Sequence, residues 1–566
     1  MRLSVIIPTF NRRSTLMRTL PTVLDQTFPA DEYEVIVVID GSTDGTAKAL
    51  MDIGSAVRMR VVEKENGGQA AALNAGIAAA EGKLVLLLDD DLFCDRTLIA
   101  EHVAAHEEGD CVVFGPALVA AESPETLATK WMRSITDDWM ARLKREGVSW
   151  PDDASASANS SMRRDVLIKA GGFDERLDRA FDVELGLRLW KSGVRFRFCP
   201  SAVTHEVCVK TTDDLALRDA RLYGVSDDLL CRTHPELRRH SQLSNFTSGT
   251  WLKRKARELC VRYPLPLGPL LRLAEQGVRS NIIWGIRIFN ARCQLNYFRS
   301  AAKAVGKWNG FERDYAKVLP VLAYHRVGPA RQGMRPELTV EPKRFRKQMD
   351  WLKRNGYATI LPGDWQAWVN EGKPLPARPV LITFDYAYAD LAQYVFPVLK
   401  EKDYTATVFV VTGDVGANGA SEGMAVPSAI GSMGAAGIKR WSEEGIEFGA
   451  KSRTHPDLTR LSASELEDEV TGSGHDLALV LGEFPRSFAY PFGDYNDAVR
   501  SLVEKTFDIA FTNDGGVNGL GTPPHLLRRT MVLPGDSLLD LAMRVGFGWT
   551  PFERLRAGVT AKGHMR

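Results

Sequence analysis

Cysteine is scarce in this sequence, and what there is does not pair. The seven residues Cys94, Cys111, Cys199, Cys208, Cys231, Cys260 and Cys293 are odd in number and contain no CxxC pair. That excludes a disulfide-stapled scaffold and a zinc knuckle, and it suits a reducing compartment. Long apolar runs are also missing, since nothing approaches the ~18 residues of a membrane-crossing helix. The N-terminal run Leu3–Ile7 stops at Pro8, so it reads as a strand and not as a secretory signal. The expected location is therefore the cytoplasm. Neither sign of charge dominates: 72 Lys and Arg face 71 Asp and Glu, for a net charge of +1. There is no global pull toward nucleic acid, and any basic surface must be local. No fixed-period repeat is evident.

What remains is a soluble, globular composition, 44% hydrophobic and 25% charged. A chain of 566 residues is too long for one core, so two domains and a connector are expected. In the first hundred residues the runs Leu3–Pro8, Glu34–Ile39, Val57–Val62 and Lys83–Leu88 are rich in Val, Ile and Leu. They alternate with helix-like stretches such as Arg12–Leu24 and Gln69–Ala80. This pattern predicts parallel strands, buried on both faces and joined by crossover helices. Ligands of such sheets sit beyond the carboxyl ends of the strands. From 231 to 313 the character changes, with sixteen Lys and Arg against four Asp and Glu. Trp251, Trp284, Phe289, Tyr297, Phe298 and Trp308 are interleaved with them, and Pro264, Pro266 and Pro269 break the helical pattern. Two readings stand: a helical segment lying on an anionic membrane surface, or a solvated connector. From Val318 the alternation resumes, with strands expected at Val318–Tyr324, Pro379–Phe384, Ala406–Val411, Ile446–Gly449, Ser487–Tyr490 and Ile509–Phe511. Helix Ser462–Leu481 opens with Ser462 and Glu465 in capping-box spacing. Six or more β/α units predict an irregular α/β barrel, and the Gly/Ala-rich stretch Gly413–Gly437 a long loop.

Two places in the first half carry chemistry. Asp40 follows the second strand inside a turn dense in Gly, Ser and Asp, which fits either a plain turn with a helix cap or a close approach to a nucleoside. Asp89, Asp90 and Asp91 directly follow the strand that ends at Leu88. Three adjacent carboxylates at the end of a buried strand repel one another, and a divalent cation with hard oxygen ligands removes that cost. The same cation can hold a diphosphate and neutralise its charge as it leaves.

These residues and their surroundings closely resemble glycosyltransferase family 2. The resemblance runs through Ser4–Arg12, Asp40–Thr46, Asn66–Ala70, Leu73–Gly76, Leu88–Asp91, Gly171–Glu175, Asp182–Leu189 and His205, over about the first 210 residues. It implies a GT-A, Rossmann-like fold that binds a nucleotide-diphosphate sugar with magnesium or manganese. It implies that Pro8 and Thr9 line the nucleotide and that Asp40 holds the base or ribose. Asn74, Asp89 and Asp90 also fall on the donor side, while Asp91 and His205 serve the metal. Asp182 matches the family's catalytic carboxylate, which takes the proton of the attacking acceptor hydroxyl and inverts the anomeric carbon. The residue before it, commonly Glu in the family, is Phe181 here.

The second half resembles the polysaccharide deacetylase domain, also called carbohydrate esterase family 4 or the NodB-homology domain. The carriers are Ala323–Val327, Ile382–Asp385, Thr454–Leu461 and Arg486–Gly493, over about Val318 to Val545. The family has two consecutive Asp, a base and a metal ligand, where this chain reads Asp385-Tyr386. It has two metal-binding His four residues apart, where this chain reads Lys451 and His455. Two of three metal ligands are thus replaced, and an ammonium at a cation site repels the cation. Lys451 is expected to fill the vacated position and pair with Asp385. Neither His525 nor His564 has the Leu-x-His setting that supplies the family's general acid.

The resulting expectation has three parts: residues 1–230 as the glycosyltransferase domain, 231–315 as a basic helical connector, and 316–566 as a deacetylase-like barrel without its metal site. The function expected is sugar transfer to a glycan or lipid-linked acceptor in cell-surface polysaccharide synthesis. Peripheral contact with the inner membrane surface stays open beside the solvated connector, and nucleic acid is not an expected partner. A two-activity enzyme and a non-enzymatic carbohydrate-binding scaffold are the alternatives.

Overall fold

The computed structural model describes residues 2–107, 109, 111–149, 153, 158–263, 269, 272–273, 282–329, 336–415 and 431–550. The chain divides into two compact units, Met1–His240 with Arg257–Trp308, and Ser241–Ala256 with Asn309–Arg566.

The first unit is an α/β layer structure. Its strands are β1 (Leu3–Thr9), β2 (Tyr33–Asp40), β3 (Arg58–Lys64), β4 (Leu84–Leu87), β5 (Leu92–Cys94), β6 (Cys111–Phe114), β7 (Ala117–Val119), β8 (Ser160–Arg163), β9 (Arg195–Phe198) and β10 (Thr204–Glu206). Seven of them form one sheet in the order β3-β2-β1-β4-β8-β6-β9, and β5-β10-β7 form a second, small sheet. β1 pairs in parallel with β2 and β4, and β2 with β3, while β8 runs antiparallel to both of its neighbours. Every residue of β1 and β2 is buried, as their Val and Ile content demands of strands covered on both faces. β3 departs from the expectation of burial on both faces. It is an edge strand, and each of its residues is partly buried or exposed. Arg58 and Arg60 there reach out to Glu81. Helix Gln69–Ala79 crosses over β1 and β2. A Cβ on its Gly76 would lie 2.3 Å from Ile6 Cγ2, so only glycine permits this close packing.

The second unit holds β11 (Leu319–Tyr324), β12 (Arg326–Val327), β13 (Thr339–Val340), β14 (Tyr357–Thr359), β15 (Arg378–Asp385), β16 (Thr407–Val410), β17 (Glu447–Ala450), β18 (Ser487–Ala489), β19 (Ile509–Phe511), β20 (Val517–Asn518) and β21 (Thr530–Met531). The main path is β19-β18-β17-β16-β15-β11-β20 and is parallel from β19 to β11. The sheet then curls back on itself. Leu527 exchanges backbone hydrogen bonds with Ala510 and Thr512 at β19, whereas β21 pairs with β11 and Val532 N donates to Ala323 O. The strap Leu527–Val532 therefore joins the two ends of the curl, which gives the irregular barrel its closure. Its core is one large cluster that includes Leu322, Phe384, Val408 and Phe448.

The stretch 231–315 contains helices Trp251–Arg262, Ile282–Ala304 and Lys307–Asp314 and is divided between the two units; Pro264 and Pro266 lie outside the described residues. Of the expected loop Gly413–Gly437, residues 416–430 lie outside the described residues, and helix Ala435–Glu443 begins before its end. No helix among the described residues is long and apolar enough to cross a membrane.

Candidate functional site

Because β2, β1 and β4 are parallel neighbours, their carboxyl ends share one edge of the sheet, and they end on Asp40, on Thr9 after Pro8, and on the run Asp89–Asp91. Thr9 Oγ1 donates to Asp90 Oδ2 at 2.7 Å. The Arg12 guanidinium forks across the run, with Nη1 3.0 Å from Asp90 and Nη2 2.9 Å from Asp91. Asp89 accepts from the Gln69 amide at 2.9 Å. Burial, followed by Asp91 and Asp90, pushes the Asp89 carboxyl up to about 7. Burial pushes Asp90 up to about 6 against the opposing pull of Arg12. The run thus carries more negative charge than its neighbours balance.

The remaining expected donor residues are placed as follows. Asp40 accepts from Gly67 N at 2.9 Å and Gly68 N at 2.8 Å, and it pairs with Lys64 Nζ at 2.7 Å. Asn74 clamps the glycine loop: its amide donates to Phe173 O and Glu175, and its oxygen accepts from Phe173 N. Gly172 packs against that amide with φ +70°, and a Cβ there would lie 2.5 Å from Asn74 Oδ1. His205 Nε2 lies 3.3 Å from Asp95. Its neighbour on β10, Glu206, points to the other face, as successive strand residues must. There burial and then Asp91 push its carboxyl up. Glu206 and Arg12 escaped the sequence analysis, and the alternation of side chains about His205 was the signal for the former. Asp182 lies in the first turn of helix Phe181–Lys191, whose N-cap Ala180 is left-handed at φ +59°. Burial and then the Asp182 charge push the Tyr223 phenol up to about 12.

Among the described residues no three His, Cys, Asp or Glu side chains gather closely enough to hold a metal ion. The donor chemistry at Asp89 and Asp91 nevertheless fits a hard divalent cation, since it is oxygen only and short of positive charge. The Arg12 fork stands beside it as the resident counter-ion.

In the second unit Asp385 ends β15 and is buried. Arg529, on the closing strap, holds both of its oxygens, at 2.6 and 3.2 Å. Lys451 Nζ lies 3.5 Å from Asp385 Oδ2, and His325 Nε2 lies 4.0 Å from it. Burial works to raise the Asp385 carboxyl, but Arg529, then Lys451 and His325, hold it well below the usual carboxylate range. Burial lowers Lys451 to about 8 and, with Lys451 beside it, His455 to about 4. Tyr386 and His455 meet at 3.3 Å, phenol oxygen to Nε2. These residues do not fit a bound metal: Asp385 is taken by Arg529, the His455 nitrogen by Tyr386, and the Lys451 ammonium stands beside Asp385. Arg529 also escaped the sequence analysis. His525 Nε2 lies 2.8 Å from Phe507 O, and His564 is outside the described residues.

Comparison with known proteins matches residues 4–170 to the family model for glycosyl transferase family 2 and residues 372–506 to that for polysaccharide deacetylase. YxkH, a Bacillus subtilis protein assigned as a polysaccharide deacetylase, is 27% identical over 220 residues, covering 39% of this chain and 73% of its own. YdaM, a Bacillus subtilis protein assigned as a glycosyltransferase, is 29% identical over 217 residues, covering 36% and 50%. Validoxylamine A glucosyltransferase of Streptomyces hygroscopicus subsp. jinggangensis is 30% identical over 223 residues, covering 34% and 52%. The chain thus spans about half the length of these last two relatives. It joins a glycosyl transferase family 2 region at its N-terminus to a polysaccharide deacetylase region at its C-terminus.

Proposed function

We propose that the first unit transfers a sugar from a nucleotide-diphosphate donor to a glycan or lipid-linked acceptor, with inversion, in the assembly of a surface polysaccharide. The observation that carries this reading is the acid run Asp89–Asp91 at the carboxyl end of β4, tied to Thr9 of the adjacent strand and short of positive charge. Asp89 and Asp91 would hold magnesium or manganese, which supplies charge neutralisation to a departing diphosphate. Thr9 orients Asp90, and Arg12 adds a second positive charge on the same edge. His205 joins the metal only if its contact with Asp95 is given up, which makes Glu206 the better-directed neighbour. Asp182 accepts the acceptor's hydroxyl proton while the new glycosidic bond forms and the bond to the diphosphate breaks. Tyr223, whose phenol feels the Asp182 charge, would border the acceptor side.

The second unit in this reading lacks metal-dependent deacetylation, because Tyr386 and Lys451 stand in place of metal donors. Helix Trp251–Arg262 has no buried side chain, and its Lys and Arg residues suit peripheral contact with an anionic membrane surface. The test is a donor screen on the full chain that follows nucleotide-diphosphate release, with manganese or magnesium present and then chelated. Release is expected with one donor class and lost on chelation. Asp182→Asn is expected to abolish transfer while leaving donor affinity within a few-fold, and undiminished turnover in that variant would refute the assignment.

A further inference from the structure

The deacetylase-type cleft of the second unit holds a charge count that a metal esterase would not have. Asp385 is fully matched by the two-pronged Arg529, which also donates to Thr512 O and Asn513 Oδ1. Lys451 is therefore a second buried cation against one carboxylate. Its side chain is 2% exposed, and its ammonium's contacts are distant ones: Asp385 at 3.5 Å, already claimed by Arg529, and the Tyr490 carbonyl at 3.4 Å. Among the described residues no other acid lies within ion-pair reach of it. An ammonium in this state is costly to bury, and an incoming anion relieves the cost.

The rim around it is strained in one place. Tyr386, Ser452, His455 and Phe492 all adopt left-handed backbone, with φ of +65°, +63°, +61° and +58°. Such sparsely populated backbone is costly, and residues that adopt it gather where a fold holds a ligand site. Phe492 is 52% exposed and packs on the His455 ring at 4.6 Å between centroids, so an aromatic face stands open beside the buried charge.

We infer that this cleft binds a carboxylate-bearing ligand, its carboxylate on Lys451 and its body against Phe492 and Tyr386. One surplus positive charge matches a monoanion, whereas a dianionic phosphate would leave negative charge buried beside Asp385. The carboxylate belongs either to a sugar acid or to a free short-chain acid. The inference rests on the reading that the unit holds no esterase metal.

Calorimetric titration of the full chain at constant ionic strength with glucuronate, glucose and acetate tests it, alongside a separate titration with zinc. Glucuronate is expected to bind saturably and at least tenfold more tightly than glucose, and Lys451→Met to weaken it by tenfold or more. Because that variant alters a buried site, Phe492→Ala on the open rim is the second probe. A loss for glucuronate but not for acetate assigns a sugar acid, while equal binding of both acids, unmoved by Phe492→Ala, assigns the free acid. Absence of saturable binding by either acid overturns the inference. Stoichiometric zinc binding that is lost in His455→Ala overturns instead the reading of a metal-free cleft.

Discussion

His102 is wholly buried, with Nδ1 2.8 Å from Ser161 Oγ and Nε2 2.9 Å from Asn159 Oδ1. Burial lowers its imidazole to about 4. The unfolded chain takes up that proton near pH 6.5, so between 6.5 and 4 the unfolded state binds more protons and acid weakens the fold. At about 1.4 kcal/mol per pH unit the loss approaches ~3 kcal/mol across this window. Urea denaturation at pH 7 and pH 4.5 should show a smaller drop in His102→Gln than in the wild type. That difference isolates the ring from Asp89 and Asp90, whose raised carboxyls act with the opposite sign. At this scale the acid run was legible, because three carboxylates after a buried strand have few physical outcomes. Arg12 and Arg529 were not, and Glu206 was legible only through the alternation of side chains about His205. Arg529 meets Asp385 across 144 residues, and no local pattern announces such a pairing.

Among the elements, strands with continuous Val and Ile were legible to within about two residues, as β1, β2 and β15 illustrate. The exposure of β3 was not, because edge position is a property of strand order and not of composition. The antiparallel insertion of β8 between β4 and β6 was hidden for the same reason. Helix Ala463–Leu481 was legible from its first turn: Ser462 Oγ accepts from Glu465 N, and Ser462 N donates to the Glu465 carboxylate at 2.9 Å. Ser462→Ala should cost the second unit about 1 kcal/mol, read as a lower midpoint in chemical denaturation at unchanged slope. A cost near zero would mean that the packing of Leu466, Val470 and Leu477 alone sets this helix.

At the level of the whole molecule, two compact units carry two kinds of charged cleft. In one, carboxylates outnumber their partners, and in the other, cations do. Both lie at the carboxyl ends of parallel strands, where ligands of such sheets bind. The family match in the second unit stops at 506, yet the strap that joins its sheet ends lies at Leu527–Val532. A chain ending at Thr506 is therefore expected to lose cooperative unfolding of this unit, seen as a broadened or absent thermal transition in calorimetry. A sharp, intact transition would show that the strap is dispensable.

That strap also sets an order of events during synthesis. Asp385 and Lys451 leave the ribosome well before Arg529, so for a time the only cation of this site available to the Asp385 carboxylate is the Lys451 ammonium, and the guanidinium that claims both carboxylate oxygens in the finished fold arrives later. The curl therefore closes only after translation has passed the strap.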